Sequence, residues 1–144
     1  MPRWRPDPDH VEDQEAIGRR VYSDKILRRD GRLRADHFED SRLDNDLSVD
    51  RLGNPNPMRA VKAYLAAKAS AANPDRSFAG WAALRVSAIR NHKAPLEVIA
   101  TPKEDNEYHA DICRDRFRDK VHAYNLAIRL KEAAESTFGF VEAP

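Results

Sequence analysis

The sequence predicts an α+β fold: a small antiparallel sheet built mainly from residues 80–113, with 47–52 as a further strand, covered by helices near 57–71 and 115–135. Three observations carry this reading. Residues 57–71 set Met58, Val61, Leu65 and Ala69 at helical spacing behind an Asn56-Pro57 start, a cap followed by a residue suited to the first helical position. Residues 115–135 carry two apolar rows, Phe117, Val121, Tyr124, Ile128 and Ala123, Ala127, Leu130, Ala134. Together they make a stripe broad enough to lie on a sheet. Between these helices lie short apolar runs bounded by turn residues, which is strand punctuation.

The elements follow in chain order. Residues 1–8 hold three prolines and Trp4 and read as a flexible arm. Asp9 and Glu12 have capping-box spacing, and Ile17 and Val21 stand four apart, so residues 9–22 read as a helix weakened by Gly18. Asp30-Gly31 is a turn signal, and 39–46 is a polar loop. Leu47-Ser48-Val49-Asp50-Arg51-Leu52 alternates and ends at Gly53, as a half-buried strand does. Gly80 to Val86 fits a buried strand followed by a helical turn through Ile89 to His92. The alanines of 77–90 fit a helix as well, and periodicity does not separate the two. Leu96 to Ala100 and Tyr108 to Cys113 read as an antiparallel hairpin. Residues 137–144 form an apolar tail, which leaves 9–136 as a single domain.

Composition bounds the function. Against 25 basic side chains stand 24 acidic ones, for a net charge of +1, so no global field draws in nucleic acid or an anionic membrane. A single cysteine excludes an internal disulfide framework. The start of the chain lacks a signal-like apolar core and no apolar run has membrane length, so the expectation is a cytoplasmic protein without a membrane partner. The five glycines form neither a phosphate loop nor a dinucleotide fingerprint, and no cofactor is expected.

Three groups of residues carry candidate chemistry. On a strand, His109, Asp111 and Cys113 share one face. No zinc-type spacing accompanies them, so no metal is expected. His109 is the candidate proton-transfer group with Asp111 assisting, and Cys113 reads as packing. Ser48, on the face opposite Leu47 and Val49, is a candidate nucleophile or phosphate contact, without the Gly-x-Ser-x-Gly elbow around it. Arg28, Arg29, Arg32 and Arg34 cluster beside a turn and suit a nucleic-acid backbone. Trp4, Phe138 and Phe140 sit in the terminal segments as candidate partner contacts. The leading expectation is a bacterial-type interaction or accessory protein, antitoxin-like or a subunit of a larger assembly, which binds another protein or itself. It rests on the apolar termini and on the lack of a complete catalytic motif. The first alternative is a small hydrolase or transferase using His109. The second is a nucleic-acid-binding subunit using Arg28 to Arg34.

Overall fold

Residues 16–22, within the segment that reads as the first helix, form a central strand. The computed structural model describes residues 4–22, 33–39, 46–57, 78–92, 96–104, 106–113 and 120–142. Its strands are β1 (Ala16–Tyr22), β2 (Leu47–Gly53), β3 (Phe78–Arg85), β4 (Val98–Ala100), β5 (His109–Ile112) and β6 (Gly139–Glu142). They make one six-stranded sheet in the order β4-β5-β2-β1-β3-β6, and every neighbouring pair is antiparallel. The described helical elements are a 3-10 turn (Ala35–Phe38), a single turn α1 (Ser87–Arg90) and one helix of 16 residues, α2 (Lys120–Glu135).

The fold is therefore sheet-dominated, which corrects the expected α+β arrangement of a small sheet under covering helices. Three departures produce the difference. Residues 16–22 are strand instead of helix, and the tail expected at 137–144 supplies β6 over Gly139–Glu142. The run expected to fill the sheet, 80–113, instead contributes two separated parts. β3 and the β4–β5 hairpin lie on opposite sides of the β2–β1 pair. The expected helix at 57–71 lies, beyond Pro57, outside the described residues.

The physical reason for the β1 misreading is in its alternation. Ile17, Arg19 and Val21 point to one face, and Ala16, Gly18 and Arg20 to the other. A charged residue inside the apolar row hides the period of two, while Ile17 and Val21 remain four apart and mimic a helix. The row accepts Arg19 because its guanidinium donates to three carbonyls: His37 O at 3.1 Å, Ser48 O at 2.9 Å and Glu39 O at 2.9 Å.

The two faces of the sheet are built differently. On one, Ile17, Val21, Leu47, Val49, Ala82, Leu84, Ala110 and Ile112 meet Ala127, Leu130 and Ala134 of α2. Gly139, at φ +66°, takes the left-handed turn that leads from the end of α2 into β6. The other face carries a smaller apolar group, Ala16, Leu52, Trp81, Ala83 and Tyr108, with Trp4, Phe78, Phe138 and Val141 packed on it. Beside that group the face turns polar.

Gly18 holds Trp81 and Leu52 in place by having no side chain. A Cβ there would lie 2.7 Å from Trp81 Cβ and 2.9 Å from Leu52 Cδ1. The leucine tip can yield, but the Trp81 Cβ is fixed to its strand. Gly18→Ala is expected to destabilise by about 1–3 kcal/mol, the usual cost of overpacking. A urea titration with an unchanged slope and a lowered midpoint checks it.

Candidate functional site

The register of β2 on β5 sets Ser48 opposite Asp111 and Asp50 opposite His109. Opposed residues share a face, so these four side chains stand together on the side of the sheet away from α2. β1 adds Gly18, paired with Asp50, and then Arg20 and Tyr22. The turn between β4 and β5 folds Lys103 and Asn106 over the same region, each backbone N–H donating to the other's carbonyl at 2.9 and 3.0 Å. These residues, Asp111 excepted, line a concavity of about 340 Å³, at the small end of the range for ligand pockets. Ser48 is exposed at its rim, while His109 and Asp50 are buried at 8% and 2% exposure.

Asp50 anchors the site. Its carboxylate accepts a two-pronged contact from Arg20, with Nε at 2.8 Å and Nη2 at 3.0 Å. It also accepts from the Trp81 indole N–H at 2.9 Å and from Asn106 Nδ2 at 3.2 Å. Four donors satisfy a buried carboxylate about as fully as its lone pairs allow. Burial works against the Arg20 charge, but the Asp50 carboxylate, aided by Tyr22, holds the guanidinium above its ordinary pKa. Asp50 therefore fixes the floor of the cavity and is not left over as a base.

His109 is held differently. Nδ1 lies 2.8 Å from Thr101 Oγ1, which fixes the ring plane. Loss of solvation lowers its pKa below the usual imidazole value, and the Lys103 ammonium pushes the same way. Asp111, Asp50 and a hydrogen bond with Thr101 oppose this without reversing it. The ring is consequently neutral at neutral pH and has a nitrogen able to accept a proton. Lys103 is exposed at the mouth, and among the described residues no carboxylate lies within ion-pair distance of it.

The structure brings His109 and Ser48 into one cavity. Asp111 stands on the same face, paired with Ser48, but outside the lining. Cys113 follows the end of β5, half-buried, with its N–H on Glu97 O at 2.9 Å, away from the lining. Arg28, Arg29 and Arg32 lie outside the described residues, and Arg34 pairs with Asp36 at 2.7 Å. The three terminal aromatics all pack on the protein itself. Trp4 stands 6.1 Å from the Tyr108 ring and under the Arg51 guanidinium at 5.7 Å. Phe138 lies beneath Arg85 at 4.8 Å, and Phe140 joins the core against α2.

Arg20, Lys103, Asn106 and Tyr22 escaped the sequence reading. Strand pairing brings Arg20 and Tyr22 near His109 from far along the chain, and the fold of the β4–β5 turn brings Lys103 and Asn106, so no short motif joins them. Trp81 in a buried run did carry a signal, because its indole N–H needs a buried acceptor. Among the described residues no group of three or more His, Cys, Asp or Glu is placed to hold a metal, and no helix is long and apolar enough to cross a membrane. No protein-family model, curated protein or solved structure matches this chain.

Proposed function

We propose that the protein is a small enzyme of the hydrolase or transferase class in which His109 moves the proton. The observation that supports this most is the placement of a neutral, oriented imidazole in the wall of a polar cavity. In the tautomer that carries its proton on Nδ1, held at Thr101 Oγ1, Nε2 has the lone pair and takes a proton from an attacking water or hydroxyl. It then returns that proton to the leaving group. The side chains named for partner binding, Trp4, Phe138 and Phe140, pack on the protein's own sheet, which favours the cavity over the termini as the site of function.

A panel of p-nitrophenyl esters and phosphodiesters tests the proposal. His109→Gln, which keeps a polar side chain of similar reach, is expected to lower turnover by about 10²–10⁴-fold while the fold survives by circular dichroism. The acid limb of the wild-type rate profile should fall below the ordinary imidazole range, because His109 stays neutral further into acid. Wild-type rates in a folded His109→Gln protein overturn the proposal, as does a complete lack of turnover across the panel.

A further inference from the structure

The charge around the cavity does not cancel. Arg20 and Asp50 neutralise each other through their two-pronged contact. His109 contributes no charge at neutral pH. Ser48, Val49, Tyr22, Asn106 and Gly18 contribute none either, and the guanidinium of Arg19, which also borders the cavity, is held on the carbonyls of His37, Ser48 and Glu39. Among the described lining residues that leaves Lys103 as the cation at the mouth, its ammonium bearing on the imidazole closely enough to help lower its pKa. Asp111, on the same face and acting on the imidazole in the opposite sense, lies outside the lining. A concavity of about 340 Å³ holds a small molecule and not a folded partner.

Resting on the acid–base reading of this cavity, we propose that it takes a small ligand carrying an anionic group, phosphate or carboxylate, which Lys103 meets at the mouth beside His109. Arg20 stays on Asp50 and does not take part. The bound anion screens the imidazole from Lys103 and adds a negative charge next to it. Binding therefore raises the His109 pKa, and the base gains proton affinity only when the cavity is filled.

The experiment follows the His109 ring resonances by NMR in the full chain. Inorganic phosphate and acetate are titrated separately at constant ionic strength, with choline as the cationic control. A saturable shift is expected with phosphate or acetate and none with choline. The midpoint of the His109 titration should move up in the anion. Lys103→Gln, folded by its circular dichroism, should bind at least tenfold more weakly, and Lys103→Arg should bind like wild type. The arm with the tighter saturation identifies phosphate or carboxylate as the group taken. The inference is overturned if neither anion saturates, if choline shifts the ring equally, or if Lys103→Gln binds as well as wild type. Turnover separates the two readings. Loss of anion binding with His109-dependent turnover of neutral esters intact overturns the anion inference alone. Anion binding that needs Lys103, alongside wild-type turnover in His109→Gln, overturns the enzyme reading alone.

Discussion

Glu15→Ala is expected to destabilise the protein by about 3–5 kcal/mol, the cost of leaving a buried charge without its partner. Glu15 and Arg51 are 1% and 0% exposed and meet in a two-pronged contact, Nε to Oε1 at 2.7 Å and Nη2 to Oε2 at 2.8 Å. The remaining N–H groups of Arg51 reach backbone carbonyls of the N-terminal segment, Asp7 O and His10 O. Glu15 in turn accepts from the Glu12 N–H at 2.7 Å. The pair thus straps residues 7–15 onto the end of the sheet, and Trp4 follows, packed against Arg51 and Tyr108. A domain is stable by only about 5–15 kcal/mol, so the loss should be plain in urea denaturation. Arg51→Met should cost a similar amount. The double replacement Glu15→Leu with Arg51→Met should cost far less than the two single losses added, since no orphaned charge remains. The N-terminal segment should also become sensitive to protease in Arg51→Met, because two of its carbonyls lose their donor. A Glu15→Ala protein within 1 kcal/mol of wild type would show that the pair is not what holds this end.

That ion pair also shows where sequence reading stops. Arg51 sits in an alternating run and Glu15 in an apparent helix, 36 residues away. Nothing local says that the two meet. What was legible came from contiguous apolar patterning. Leu47 to Gly53 and the apolar stripe of α2 announce themselves over a few pleats or turns, whereas Gly80 to Val86, apolar nearly throughout and buried along most of β3, fits strand and helix alike until it is paired. The first strand was not legible, because Arg19 breaks the alternation and is satisfied only by carbonyls from other segments. The site was half legible. His109, Asp111 and Ser48 stand out by residue type and face. Their meeting depends on the β2–β5 register, which is a property of pairing and not of either strand. Lys103 carries no signal of its own, and only the fold of the β4–β5 turn brings it over the cavity.

Asp50 joins the stability of the sheet to the chemistry of the site, so its replacement has two separable results. Asp50→Ala should cost about 3–5 kcal/mol, because it leaves the largely buried Arg20 guanidinium without its carboxylate. It also removes the acceptor of the Trp81 and Asn106 N–H groups. Asp50→Asn keeps the shape but offers a single oxygen, and its amide group meets donors where it needs acceptors. Its cost should stay above 1 kcal/mol. The second result concerns His109. The Asp50 carboxylate is among the charges that favour the protonated imidazole, and burial and Lys103 oppose it. Removing that negative charge must lower the His109 pKa further. In Asp50→Asn, under conditions where it remains folded, the His109 titration followed by NMR should move to lower pH than in wild type. An upward move or none would mean that Asp50 does not act on the imidazole across the β2–β5 pair. The anchor and the base would then be independent. If the downward move is found, one carboxylate both fixes the cavity floor and tunes the proton affinity of the imidazole in the cavity wall.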